Sequence, residues 1–294
     1  MTTNDPESFA RRDMSRLAAR ASIDDRREAF LRLIGLKPVI MGILNVTPDS
    51  FSDGGRFQSL NSALAQAKKL VADGADIVDV GAESTRPGHT PVPLEEEWRR
   101  LEPLLAPLLA EVAAPFSIDT YKAEIAHRAV ALGVCVVNDV WGLQKDPAMA
   151  EVVADSGAAV VIMHNRESID PNLDVQADLW RFFDRSLSLA DRAGILRERI
   201  LLDPGIGFGK NRAQNRKALA LTGALRAAFG LPILIGVSHK RLLGDAFAGV
   251  DGQLICTLAA NLTALARGAA VFRVHDAAEH AAAFEVFRAI ELAG

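Results

Sequence analysis

Residues 41–55 read MGILNVTPDSFSDGG, and the fold follows from how this stretch begins and ends. The apolar run at 39–44 is long enough for one strand and too short for a helix. Pro48 and the Gly54-Gly55 pair stop either from continuing. The pattern predicts a buried strand that delivers Asn45 to an exposed loop. Any strand-to-loop junction also attracts Asn, Asp and Gly as turn formers, so the composition of the loop alone carries no function.

Working outward, the same rhythm recurs. Seven further short, mostly β-branched runs lie at 76–80, 116–119, 135–138, 159–163, 200–203, 233–236 and 270–273. Helical spacing fills the intervals at 62–73, 94–111, 121–132, 179–193, 212–229, 253–267 and 277–292. Eight strands alternating with helices predict a parallel sheet. Eight is also the number that closes into a single (β/α)8 TIM barrel, and residues 38–294 match the roughly 250 residues such a barrel uses. An open doubly wound sheet would need a glycine-rich turn after the first strand, which Asn45-Val46-Thr47-Pro48 does not supply. Residues 1–37 form an N-terminal extension, partly helical or disordered, and an extra helical turn is expected at 240–247.

With 294 residues, 49% hydrophobic and 24% charged, the chain has the composition of a soluble globular protein. A net charge of −4, with acids and bases interspersed, leaves no footprint for nucleic acid. The most apolar stretch, 101–115, is broken by Glu102, Pro103, Pro107 and Glu111, so no membrane segment is expected. Arg11, Arg12, Arg16 and Arg20 suggest a transit peptide, but Asp5, Glu7, Asp13, Asp24 and Asp25 argue against one. Cys135 and Cys256 lie far apart in apolar sequence and read as reduced thiols, which fits the cytoplasm.

Active sites of such barrels lie at the C-terminal ends of the strands. Here those ends carry Asn45, the segment 83–88, Asp119, Asn138, Met163-His164, Asp203, Ser238-His239-Lys240 and Arg273-Val274-His275. Asp119, Asn138 and Asp203 present two carboxylates and an amide, a set suited to a flat heterocycle rich in N–H donors. Each Asp taken singly is equally a helix cap. Arg273 and His275, two residues apart, lean to the same side across the rim, with Thr85 and Asn45 nearby. That combination holds phosphate or diphosphate, and Mg2+ with its preference for oxygen would complete it. His275 is otherwise a structural hydrogen-bonding group. Lys240 follows the turn containing Gly236 and reaches toward the ring-binding centre; a solvated lysine at a helix start would be opposed by the helix dipole.

Other motifs fall away. Residues 205–210, GIGFGK, have neither dinucleotide nor Walker spacing and read as a tight loop whose Phe208 stacks on a ligand ring. The six histidines and two cysteines show no zinc spacing, and no G-x-S-x-G elbow occurs.

The opening stretch, with ESTRPG at 83–88, SIDT at 117–120, NDVWG at 138–142, VIMHNR at 161–166, LLDPGIGFGK at 201–210 and RVHD at 273–276, resembles the dihydropteroate synthase family in order and over the chain from about residue 39 to its end. The resemblance implies an enzyme that condenses 6-hydroxymethyl-7,8-dihydropterin diphosphate with p-aminobenzoate, giving 7,8-dihydropteroate and pyrophosphate. It implies that Asp119, Asn138, Asp203 and Lys240 hold the pterin, with Met163, Phe208 and Gly236 beside it. Asn45, Thr85, Arg273 and His275 face the diphosphate, Asn45 also binding Mg2+. Phe51, Arg86, Pro87, Ser238 and Lys240 meet p-aminobenzoate. Asp119, Lys240, Arg273 and His275 are the implied catalytic residues, and a homodimer is the implied assembly. One departure stands out: Ser238-His239-Lys240 replaces the usual Ser-Arg-Lys, which leaves the affinity for p-aminobenzoate and sulfonamides open. Two alternatives stay open as well: a non-catalytic pterin-binding paralog, and a methyltetrahydrofolate–corrinoid methyltransferase on the same barrel, which has no need of Arg273 or His275.

Overall fold

The computed structural model describes residues 22–46, 56–83, 91–240 and 250–293. The order of elements is α1 (Ile23–Leu33), β1 (Val39–Asn45), α2 (Arg56–Ala72), β2 (Ile77–Gly81), α3 (Leu94–Glu111), β3 (Phe116–Asp119), α4 (Ala123–Ala131), β4 (Val136–Asp139), α5 (Met149–Ser156), β5 (Ala159–Met163), α6 (Val175–Ala193), β6 (Ile200–Asp203), α7 (Arg212–Ala220), α8 (Thr222–Phe229), β7 (Leu234–Ile235), α9 (Val250–Ala266), β8 (Val271–Val274) and α10 (Ala277–Glu291). All pairings are parallel, in the order β6-β5-β4-β3-β2-β1-β8-β7. A single bridge from Leu202 to Ile233 joins the two ends, and the sheet closes as a (β/α)8 barrel.

Strands buried on both faces read as continuous apolar runs, but alternation still sorts their side chains. Ile40, Val78, Ile118, Val137, Val160, Leu202, Ile235 and Phe272 face outward into one cluster with the helices. Val39, Met41, Ile77, Val136, Ala159, Val161, Leu201, Leu234 and Val271 take the opposite phase and fill the interior. Continued toward the C-terminal ends, that inward phase reaches Asp79, Asp119, Asn138, Met163, Asp203, Gly236 and Arg273. The barrel is apolar below and polar above.

The floor is completed by α1. Its N-terminus is a capping box, in which Ser22 Oγ accepts from the Asp25 N–H at 3.1 Å and the Asp25 carboxylate accepts from Ser22 N–H. Phe30 and Leu33 are fully buried among the interior residues. Arg26 donates to the carbonyls of Leu109 and Ala114, and Arg27 to that of Gly157, tying the helix to the last turn of α3 and to the loops that enter β3 and β5. The described part of the N-terminal extension is thus a plug packed into the barrel.

Several boundaries differ from the sequence reading. The 212–229 segment is two helices meeting at Leu221, whose N–H bonds back to Lys217 and Ala218. The seventh strand is only two residues long, and Ile233 just before it makes the bridge to Leu202 that closes the barrel. Helix α5 lies between β4 and β5 and completes the strand–helix alternation. Residues 241–247 of the expected extra turn lie outside the described residues. Among those described, no helix is long and apolar enough to cross a membrane.

Replacing the plug residue Phe30 by Ala is expected to destabilise the fold by about 3–5 kcal/mol, the usual loss for a fully buried phenylalanine. Urea unfolding measures this, and an unchanged midpoint would show that α1 does not support the barrel.

Candidate active site

Asp119 ends β3 and Asn138 lies next to it in β4, paired Cα to Cα. Gly81, at the end of β2, leaves room for that carboxylate: a Cβ there would lie 3.3 Å from the Cβ of Asp119. The group that organises the cluster is Asp79, fully buried in the middle of β2. One of its oxygens, Oδ2, accepts from Arg273 Nε at 2.6 Å and from Asn138 Nδ2 at 3.2 Å. Arg273 Nη2 donates to Asp119 Oδ2 at 2.7 Å. The guanidinium therefore sits between two carboxylates, and the amide is oriented by one of them.

The structure changes the expected partition of the rim. Arg273 does not stand across from the ring-binding trio beside His275; it is hydrogen-bonded into that trio through Asp119 and Asp79. Asp79 was missed because strand ends alone were read. The signal was present in its phase: two residues after the interior Ile77, it must also point inward.

Burial pushes the Asp119 carboxyl up to about 7, against the opposing pull of Arg273 and with the negative field of Asp79 adding to it. Burial opposes the charge of Arg273 too, but Asp79 and Asp119 outweigh it and hold the guanidinium still more firmly protonated. The remaining oxygens, Asp79 Oδ1 and Asp119 Oδ1, are buried and accept nothing from the described residues. Unused acceptors in an apolar enclosure call for donors from a ligand.

Asp203 closes the other side. Its Oδ1 accepts the Gly205 N–H at 2.7 Å, and burial raises its pKa despite that bond and the nearby Lys240. Gly236 lies beside it, its would-be Cβ 3.7 Å from Asp203 Oδ2 and 3.9 Å from the Cβ of Arg273. Met163 is buried at the end of β5, paired with Asp203. The loop after β6 is pinned by two lysines. Lys210 Nζ donates to the carbonyls of Gly205 (2.9 Å) and Phe208 (3.1 Å), while Lys240 donates to that of Ile206 and lies 4.7 Å from the Phe208 ring centre. Gly205 is required here: at φ +63 its backbone passes so close to His164 that a Cβ would lie 1.8 Å from the carbonyl oxygen. Burial lowers Lys240 to about 8 and Lys210 to about 7.

At the end of β8, His275 Nδ1 meets Ser238 Oγ at 2.8 Å, and the same hydroxyl accepts the His275 N–H at 3.1 Å. Asn45 is exposed at the rim end of β1. His164, by contrast, turns from the centre. Its Nε2 bonds Asp178 at 3.0 Å, its ring lies against Phe182, and burial lowers it to about 4, so it stays neutral. Phe51, Thr85, Arg86 and Pro87 lie outside the described residues.

Geometry of this kind defines a barrel enzyme whose buried polar groups converge at the C-terminal rim, where such barrels carry their active sites. Residues 41–275 match the model of a family described as pterin binding enzyme, and the chain belongs to that family. It is 40% identical over 252 residues to a dihydropteroate synthase of Clostridium beijerinckii, spanning 85% of this chain and 93% of the relative. The solved dihydropteroate synthase of Clostridium difficile, crystallised with pteroic acid, superposes with a TM-score of 0.84 at 44% identity, over 87% of this chain and 98% of that one. The Xanthomonas albilineans dihydropteroate synthase with 4-aminobenzoic acid gives a TM-score of 0.82 at 42% identity, over 87% and 93%.

Two expectations follow from the electrostatics. Substituting Asn for Asp79 keeps the volume and removes the charge that holds Arg273 and Asn138. It is expected to weaken pterin binding about tenfold, the worth of a hydrogen bond to a charged group. Calorimetric titration reads this, and unchanged affinity would show that the carboxylate is dispensable. Affinity for a pterin is also expected to be bell-shaped with pH. It rises through about 7 as Asp119 ionises into a pure acceptor, and falls through about 8 as Lys240 loses its charge. The rising limb should vanish in Asp119→Asn and the falling limb in Lys240→Met; a flat profile in the wild type would refute the assignment.

Proposed function

We propose, for the dihydropteroate synthase reaction of folate biosynthesis that this chain catalyses, the following division of labour. The substrates are 6-hydroxymethyl-7,8-dihydropterin diphosphate and p-aminobenzoate. Asp119, Asn138 and Asp203 bind the polar edge of the pterin, with Met163, Phe208, Gly236 and Lys240 around the ring. The observation that carries this reading is the pair of buried, unused carboxylate oxygens on Asp79 and Asp119. Pterin N–H groups are the donors they lack.

Arg273 and His275 serve the diphosphate, together with Asn45 and Thr85. The described contacts of Arg273 use its Nε and one Nη2 proton, two of the five N–H donors of a guanidinium. As the C–O bond to the diphosphate breaks, positive charge grows on the exocyclic methylene and negative charge on the leaving group. The carboxylates of Asp119 and Asp203 favour the first; Arg273 and His275 favour the second. The aromatic amine of p-aminobenzoate then bonds to that methylene and gives up a proton. Phe51, Arg86, Pro87, Ser238 and Lys240 are proposed to hold this second substrate.

Mg2+ fits the donor set: Asn45 offers one exposed oxygen ligand at the rim, and this hard cation typically takes one or two protein oxygens with water and substrate phosphates as the remainder. It would neutralise charge on the diphosphate. A homodimer is supported by the exposed Val286 and Ile290 on α10 and Ile255 on α9, neighbouring helices on the outer ring. Unpaired Cys135 and Cys256 support a reducing, cytoplasmic setting.

The test is pyrophosphate release by the purified protein with the pterin diphosphate and Mg2+, with and without p-aminobenzoate. Release that depends on p-aminobenzoate and yields dihydropteroate is expected. Tight pterin binding without turnover would overturn the catalytic assignment in favour of a non-catalytic paralog.

A further inference from the structure

His239 is the residue at which this chain departs from the Ser-Arg-Lys of the family it resembles. Its backbone is left-handed, φ +56, a conformation that a histidine adopts at a cost and that glycine or asparagine would take more readily. Three contacts hold it there. The His239 N–H donates to Thr257 Oγ1 of α9 at 3.3 Å, its Nε2 pairs with the Asp276 carboxylate at 2.7 Å, and its ring stacks on His275 with centroids 4.7 Å apart and planes 21° from parallel. Asp276 directly follows His275 and in turn accepts from His280 through its carbonyl. His275 is thus gripped at one polar atom by Ser238 and across its face by His239, which is itself anchored to the residue beside His275 in the chain.

We propose that His239 is a positioning residue for the leaving-group end of the site: clamped by Asp276, it fixes the ring plane of His275 so that this ring meets the diphosphate. The inference rests on the reading of His275 as a diphosphate contact. A guanidinium and an imidazole are both planar groups that pair with a carboxylate and stack on a ring, so either performs the clamp. The consequence falls on the pterin diphosphate and on pyrophosphate, not on p-aminobenzoate.

Steady-state kinetics on the intact protein with both substrates and Mg2+ test this. His239→Asn tolerates the left-handed backbone and removes the stacked ring, which separates the side chain from the strain. It is expected to raise the KM for the pterin diphosphate about fivefold and to weaken product inhibition by pyrophosphate by the same factor, the worth of one positioned hydrogen bond. The KM for p-aminobenzoate should stay unchanged. His239→Arg should restore both values to within about twofold, since its guanidinium can pair with Asp276 and stack on His275. An unchanged pterin diphosphate KM in His239→Asn, or a rise confined to p-aminobenzoate, would overturn the proposal. His275→Asn separates the two levels. If it too leaves the pterin diphosphate KM unchanged, the reading of His275 has failed; if it raises that KM while His239→Asn does not, only the role of His239 has failed.

Discussion

A half-buried guanidinium held between two buried carboxylates, Arg273 between Asp79 and Asp119, is the arrangement on which the rest of the site depends. The three charges come from β8, β2 and β3, which lie along one arc of the sheet with β1 between β8 and β2, and all three residues take the inward phase of their strands. Removing Arg273 from the triad is costly, about 3–5 kcal/mol, because it strands two uncompensated carboxylates. Its survival in the polar half of the barrel makes more sense as orientation than as stability. It aims the Asn138 amide, leaves one oxygen of each Asp unused, and brings a strong cation to the edge of an acidic pocket.

Much of this was legible in the sequence because the fold obeys a simple pattern. Short apolar runs separated by helical spacing located all eight strands, and the strand-end rule picked out Asp119, Asn138, Asp203 and Arg273. What it missed has a physical cause in each instance. Asp79 lies within a strand, where only the inward phase set by Ile77 marks it. The mutual contact of Arg273 and Asp119 is a matter of side-chain reach over the two strands between β3 and β8, which residue order does not encode. His164 also ends a strand, yet it turns outward to Asp178 and Phe182, because the residue after an inward Met163 takes the other phase.

The N-terminal plug shows the same limit from the opposite side. Residues 22–37 carry many charges, yet Arg26 and Arg27 are buried against backbone carbonyls at the bottom of the barrel. A guanidinium satisfies several carbonyls at once, so a charged helix can cover loop ends that an apolar helix would leave unpaired. Phe30 and Leu33 then enter the interior from below. The apolar half of the barrel is thereby closed off from water, which keeps the polar half above it low in dielectric and its electrostatics strong.

Low dielectric has a consequence for how the site meets its substrate. Asp119 is engaged by Arg273 through one oxygen and raised toward neutral pH by burial, so its proton affinity is balanced between an acid that donates and a carboxylate that accepts. A pterin offering N–H donors shifts that balance toward the carboxylate, since donors stabilise the charged form. The negative charge so developed sits next to the cation already in place. In the proposed division of labour a diphosphate arriving on the same substrate competes for that cation from the outer side. Arg273 then links the two ends of one substrate, and its tether to Asp79, which no pterin donor needs to break, keeps it in reach of both.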